Sequence, residues 1–283
     1  MLFRSESVAF YLSGQFLTED YYVANKLMKG FIGAANIDTN SRLCMASSVA
    51  GHVRAFGEDV VPGCYEDIEL ADLVVLVGSN AAWCHPILYR RLMTARKERG
   101  IRVIVIDPRR TASCDEADLH LPIRPGADVA LFNGLFVWLA AHDAIDRRFV
   151  NAHTQGFEAA LATARAQAPT IDAVASMTGL SHVAIEEFYE RFTREQRVVT
   201  LYSQGVNQSS AGVDKVNALI NCHLSAGRIG LPGAGPFSLT GQPNAMGGRE
   251  VGGLANQLAA HIDRKSTRLN SSHIPLSRMP SSA

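Results

Sequence analysis

Few side chains in this sequence are of a type and setting suited to chemistry. Cys44 lies in a short polar stretch, NSRLCMAS (Asn40–Ser47). A thiolate there could ligate a thiophilic metal, because soft sulfur suits such ions. It could also act as a nucleophile with His52 or His85 as its base, or be an inert packed cysteine. Arg249 sits in the glycine-rich TGQPNAMGGREVGG (Thr240–Gly253). A guanidinium in such a loop can hold an anion or stabilise developing negative charge, or simply lie on the surface. Three further groups follow apolar runs: Gly78-Ser79-Asn80, Asp107 with Arg109 and Arg110, and SQGVNQ (Ser203–Gln208). Gly78 would admit a ligand close to the backbone, Ser79 and Asn80 would add hydrogen bonds, and Asp107 is placed to bind a ribose hydroxyl. The arginines could grip phosphate, and the carboxamides could read a purine or pterin edge. Each group also has a plain reading as a turn or helix cap. Gly126-Ala127-Asp128, taken alone, is no more than a helix start.

The elements that must position these groups are legible from periodicity. Leu73–Val77 (LVVLV), Arg102–Ile106 (RVIVI) and Val198–Tyr202 (VVTLY) are short apolar, β-branched runs, the pattern of strands buried on both faces. His85–Arg99 has Ile87, Leu88, Leu92 and Ala95 at helical spacing, and Gly100 follows where a helix cap belongs. Strand, helix and strand of this length make a βαβ unit. Asp118–Ile123 reads as a third short strand. Val129–Ala141, Phe157–Gln167 and Ser181–Arg194 read as helices, the last with Ser181 as its N-cap and Ile185, Phe188, Tyr189 and Phe192 on one face. Val198–Tyr202 followed by a helix over Lys215–Ala226 starts a second unit. Strand carboxyl ends are where open parallel sheets bind ligands, so the loops at 78–80, 107–111 and 203–208 are the nucleotide candidates. The turn GSN is not GxGxxG, which argues against an ordinary NAD site.

Composition excludes several classes. The chain has 283 residues, is 47% hydrophobic and 19% charged, and has a formal net charge of zero. It has no basic stripe for nucleic acid and no apolar run long enough to span a bilayer. Its five cysteines are an odd number and widely spaced, which argues against a disulfide framework, a zinc site or a local iron–sulfur motif, and for a reducing compartment. From Asp263 the composition shifts abruptly. DRKSTRLNSSH and SRMPSSA (within 263–283) are rich in Ser and Arg, show no period, and read as translated sequencing adapter or a disordered tail.

Together the strings ESVAFYLSGQFLTEDYYVANKLMKGF, NIDTNSRLCMAS, CYEDIELADLVVLVGSNAAWCHP, VIDPRRTASCDEADLHL, TLYSQGVNQSS and PFSLTGQPNAMGGREVGGLANQL resemble the bis-molybdopterin, or dimethyl-sulfoxide-reductase, family of oxidoreductases. The likeness covers most of residues 6–262 and is nearest to the catalytic subunits of bacterial assimilatory nitrate reductases. It implies an α/β fold of two Rossmann-like parallel-sheet units, one inserted into the other. The expected division is a discontinuous molybdopterin domain of residues 1–42 and 197–262 around a dinucleotide domain of 43–196. It implies bis-molybdopterin guanine dinucleotide with molybdenum, and Cys44 as the thiolate on the metal. Gln15, Asn40, Gly78, Ser79, Asn80, Asp107, Arg109, Thr111, Gly126, Asp128, Gln204 and Gln208 would contact the cofactor. Met45 and Arg249 would line the substrate funnel. The implied reaction is oxygen-atom transfer from nitrate to give nitrite, in the cytoplasm, with electrons from a donor protein or reductase subunit.

The departures from the family pattern carry expectations too. The family's 4Fe–4S cysteine cluster and its C-terminal β-barrel have no counterpart here, so the chain by itself is expected to be inactive. The alternatives are a periplasmic nitrate reductase or formate dehydrogenase relative, a non-catalytic Rossmann-type nucleotide-binding module, and a truncated product without function.

Overall fold

The structure, a computed structural model, describes residues 4–251. The tail at 263–283 and the side chain of Arg249 lie outside what it describes. The chain forms two compact units. One is discontinuous, from residues 1–46 and 240–283, and the other, Ser47–Leu239, is inserted into it.

In chain order the discontinuous unit opens with β1 (Phe10–Leu12), α1 (Thr18–Lys26), β2 (Ile37–Thr39) and α2 (Asn40–Cys44). Strands β1 and β2 are parallel, with Phe10 opposite Ile37 and Leu12 opposite Thr39. A small core of Tyr21, Met28, Ala34 and Ile37 lies within this unit. Its returning segment is tied to the first. Asn25 Nδ2 donates to the Val251 carbonyl at 2.9 Å, and Asn244 Nδ2 donates to the Phe16 carbonyl at 2.7 Å.

The inserted unit follows with α3 (Ala46–Phe56), α4 (Glu66–Leu70), β3 (Leu73–Val77), α5 (Ala81–Cys84), α6 (Pro86–Arg99), β4 (Arg102–Ile106) and β5 (Leu119–Leu121). Five helices come next: α7 (Asp128–Ala141), α8 (Arg147–His153), α9 (Phe157–Gln167), α10 (Ile171–Thr178) and α11 (His182–Arg194). The unit closes with β6 (Val198–Tyr202), α12 (Gln204–Asn207), α13 (Gly212–Ser225) and β7 (Gly235–Ser238). A last short turn, α14 (Gly247–Glu250), belongs to the discontinuous unit.

The inserted unit is built on one five-stranded, all-parallel sheet in the order β5-β4-β3-β6-β7. Strand alternation divides its core. Leu73, Val75 and Val77 face one apolar cluster with α7, α11 and α13, while Val74 and Leu76 face another with Leu92 and Ala95 of α6. Burial on both faces is what the unbroken β-branched runs require. The helix caps follow the sequence: Ser181 Oγ accepts the Ala184 N–H at 3.3 Å, and Gly100 closes α6 at φ 75°.

The expected boundaries at residues 42 and 197 do not match these units. Residues 198–202 pair with β3 along their whole length, so they belong to the inserted sheet and not to the discontinuous unit. An apolar run reveals that a strand is buried, but not which sheet accepts it. The expected helix over His85–Arg99 is α6, starting one residue later at Pro86, and the short α5 (Ala81–Cys84) precedes it.

Candidate functional site

The register of the sheet brings the sequence-selected loops to one edge. Val77, Ile106 and Leu121 are aligned, as are Val77, Tyr202 and Ser238. The turns at Gly78, Asp107 and Ser203 therefore emerge side by side at the carboxyl edge. The chain runs from β3 to β4 on one side and places β6 on the other. The switch point, where open α/β sheets form a binding crevice, is thus between β3 and β6. The two loops flanking it are Gly78-Ser79-Asn80 and Ser203–Gln208.

At this point two glycines touch. Gly205 N–H donates to the Gly78 carbonyl at 3.0 Å. A Cβ on Gly78 would come within 2.7 Å of the Gly205 Cα, and Gly78 has φ 53°, a left-handed conformation that L side chains resist. Ser79 is buried, and its Oγ has no hydrogen-bond partner. A buried hydroxyl left unsatisfied is costly, and one at a strand tip suits a polar ligand. The Asn80 carboxamide oxygen accepts from Ser113 Oγ at 3.1 Å. Asp107 is buried and its carboxylate accepts the Arg109 N–H at 2.9 Å, closing the turn before Thr111. Arg109 and Gly126 are exposed.

Asp128 is held by an ion pair within the inserted unit. Its carboxylate pairs with Lys215 Nζ at 2.7 Å, and both side chains are buried. The pair ties α7 to α13. A buried carboxylate requires a cation, and nothing in the local sequence points to Lys215, which reads as a surface lysine.

The β6 turn rests on a polar network that sequence reasoning missed. Asn207 Oδ1 accepts the Ser48 backbone N–H at 2.8 Å, and Asn207 Nδ2 donates to Gln204 Oε1 at 2.8 Å. Ser48 Oγ lies 2.6 Å from the Tyr202 hydroxyl and 2.9 Å from Ser238 Oγ. The Tyr202 hydroxyl lies 2.9 Å from His52 Nε2, and His52 Nδ1 lies 2.5 Å from the Val60 carbonyl oxygen. Burial lowers the His52 pKa, and the bond to Val60 opposes this without overcoming it. Neutral His52 must keep its proton on Nδ1, because a carbonyl only accepts. Nε2 then accepts from Tyr202, which accepts from Ser48, which accepts from Ser238. Burial holds the Tyr202 hydroxyl up at about 12, against its bonds to Ser48 and Ser238. With both ring nitrogens engaged, His52 is not available as a base for a thiol.

In the discontinuous unit the remaining candidates gather at the carboxyl ends of β1 and β2. Asn40 Oδ1 accepts the Gly14 N–H at 2.7 Å, which sets exposed Gln15 beside it. Thr39 Oγ1 and Ser41 Oγ are buried there without partners. Cys44, at the end of α2, is half-buried, whereas Cys114 and Cys222 are buried in the apolar clusters. Met45 is buried. Asn244 N–H donates to the Gly14 carbonyl at 3.3 Å, which places the backbone of the 240–251 loop in this unit. Among the described residues no three His, Cys, Asp or Glu side chains converge as a metal site. A metal held by one thiolate would need its other ligands from a non-protein group. Within this unit the orphaned hydroxyls of Thr39 and Ser41 fit a polar group of that kind.

The profile of the family described as "Molybdopterin oxidoreductase" matches residues 4–277, a span that runs past residue 263 into the compositionally distinct tail. The chain is similar to a nitrate reductase of Klebsiella oxytoca, at 60% identity over 91% of this chain and 29% of that protein. It is similar to a nitrate reductase of Shewanella frigidimarina, at 55% over 91% of this chain and 27% of the relative. A periplasmic nitrate reductase of Desulfovibrio desulfuricans is 38% identical over 91% of this chain and 35% of its own length. The chain thus spans about a third or less of these relatives. In fold it resembles acetylene hydratase of Pelobacter acetylenicus, with a TM-score of 0.65 and 23% identity over 81% of this chain and 30% of that one.

Proposed function

This chain belongs to the molybdopterin oxidoreductase family, and from that premise we propose that it is part of a nitrate reductase carrying bis-molybdopterin guanine dinucleotide. The observation that supports this best is the switch point in the inserted unit. Two touching glycines and the buried, unpartnered Ser79 hydroxyl lie there between the two loops, in a chain 60% identical to a nitrate reductase.

When bound, the cofactor supplies the two-electron chemistry that removes an oxygen atom from nitrate. The chain's own residues bind and orient. The backbone at Gly78 and Gly205 leaves room for a close approach, Ser79 and Asn80 hydrogen-bond, and Asp107 accepts from a ribose hydroxyl. Arg109 and Thr111 hold phosphate, and Gln204 and Gln208 present carboxamides. In the discontinuous unit Gln15 and Asn40 meet the pterin, Cys44 gives its thiolate to molybdenum, and Met45 forms an apolar wall that excludes water. Arg249 supplies positive charge for the nitrate anion. A 4Fe–4S centre and an electron-donor protein belong to the complete enzyme, in the cytoplasm, and the 283-residue chain alone does not turn over nitrate.

The test is Cys44→Ser in an intact reductase containing this sequence. Nitrate reduction should fall at least about a hundredfold, more than the loss of a residue that merely supports a ligand. Arg249→Gln should raise the nitrate KM with kcat less affected. Wild-type turnover in the Cys44→Ser protein would remove Cys44 from the metal.

A further inference from the structure

We infer that Ser113 is a positioning residue that fixes which end of the Asn80 carboxamide faces a ligand at the tip of β3. The inference rests on the reading that this tip meets the nucleotide half of the cofactor. Ser113 lies in the single turn Ala112–Cys114, just after the 107–111 loop, and is fully buried. A backbone N–H can only donate, so the Ala82 N–H, 3.0 Å from Ser113 Oγ, occupies a lone pair of that oxygen. The hydroxyl proton must go elsewhere, and it goes to Asn80 Oδ1 at 3.1 Å. Turning the carboxamide over would face its NH2 to Ser113 and leave that buried proton without an acceptor, which is unfavourable. The Asn80 oxygen is thereby committed to Ser113. Its NH2 bonds to none of the described residues, and Asn80 is only half-buried. The ligand group that Asn80 recognises must therefore be an acceptor: a carbonyl oxygen, a ring nitrogen or a phosphate oxygen of a nucleotide.

One hydroxyl thus acts twice. It satisfies an N–H in the first turn of α5, which has no partner within its own helix. It also orients the side chain of Asn80, the residue at the start of that helix. Val77 and Ile106 are paired, so the loops carrying Asn80 and Ser113 leave the sheet as neighbours. Ser113→Ala keeps nearly the same volume and removes the oxygen. Ser113→Thr keeps the oxygen and adds a methyl group at a site with no exposure. A packing role and a polarity role for Ser113 therefore predict opposite orders of effect.

The experiment titrates the full chain with GDP by calorimetry, comparing wild type, Ser113→Ala, Ser113→Thr, Asn80→Ala and Ser113→Ala combined with Asn80→Ala. Ser113→Ala should weaken GDP binding about fivefold. Ser113→Thr should stay within about twofold of wild type. In the Asn80→Ala background, Ser113→Ala should change the affinity by less than about twofold, because Ser113 acts through Asn80. Equal GDP affinity in Ser113→Ala and wild type would overturn the assignment, as would an undiminished loss on adding Ser113→Ala to Asn80→Ala. Where Ser113→Thr does not fit the buried site, that double-variant comparison decides. No GDP binding by the wild type would sink the cofactor reading and this assignment with it, whereas binding that ignores Ser113→Ala sinks the assignment alone. If the Ser113→Ala chains do not fold, NMR of the wild type decides. A slowly exchanging Ser113 hydroxyl proton, with Asn80 carboxamide protons protected only once GDP is bound, supports the assignment. Carboxamide protons already protected in the free chain overturn it.

Discussion

His52 and His223 are both buried in the inserted unit, and burial holds both below the ordinary histidine range. For His223 the nearby charge of Arg228 lowers it further. His223 Nε2 pairs with Thr200 Oγ1 at 2.8 Å, and His52 is locked between Val60 and Tyr202. The folded chain keeps both neutral, whereas the unfolded chain protonates them near pH 6.5. Their contribution to stability is thus complete above that pH and is lost as pH falls below it, towards the depressed folded values. The loss should reach up to about 1.4 kcal/mol per pH unit for each histidine. Urea denaturation at pH 7.5 and 5.0 measures this. Stability unchanged between the two would mean that these imidazoles protonate freely in the native state. Asp118 responds in a different window. Burial opposes its charge, but Arg96, the Val103 N–H and Arg102 outweigh it and hold the carboxyl at about 2, so its stabilisation is lost only in strong acid.

Between elements, the most consequential link is the Lys215–Asp128 pair joining α13 to α7. The two helices are otherwise packed through Leu131, Leu135, Val216 and Leu219, all in one apolar cluster. Breaking a buried pair by removing one partner leaves an uncompensated charge, which costs about 3–5 kcal/mol, whereas replacing both with apolar groups is close to neutral. Lys215→Met and Asp128→Asn should each lower the denaturation midpoint sharply. Lys215→Met combined with Asp128→Leu should restore most of it. A double variant as unstable as the sum of its single changes would show that the pair is not the linking feature.

For the molecule as a whole, the inserted unit has its ends at one place. Ser48 N–H bonds Asn207 just after β6, and Leu239 N–H bonds the Tyr202 carbonyl at 2.8 Å at the end of β6. Neighbouring ends allow a domain to sit inside another chain segment without strain on its sheet. Residues 47–239, expressed alone, should therefore melt cooperatively and keep the GDP affinity of the full chain. Absence of a cooperative transition would show that this unit needs the flanking segments to fold. Among the described residues no helix is long and apolar enough to cross a membrane.

Local pattern was enough to place β3, β4 and β6 with their observed limits, α9 over Phe157–Gln167 and the Ser181 cap, because strand burial and helix capping act over a few residues. The same locality marked Gly78, Asp107 and Gln204 as strand-end candidates, and the resemblance carried the family. Partnership was not legible. That β6 lies beside β3, that Lys215 neutralises Asp128, and that the Ser48 N–H meets Asn207 all depend on residues brought together across long stretches of chain. Burial drives those meetings, and a buried polar group accepts whichever complementary group the packed backbone delivers. Only the tertiary structure decides which one that is.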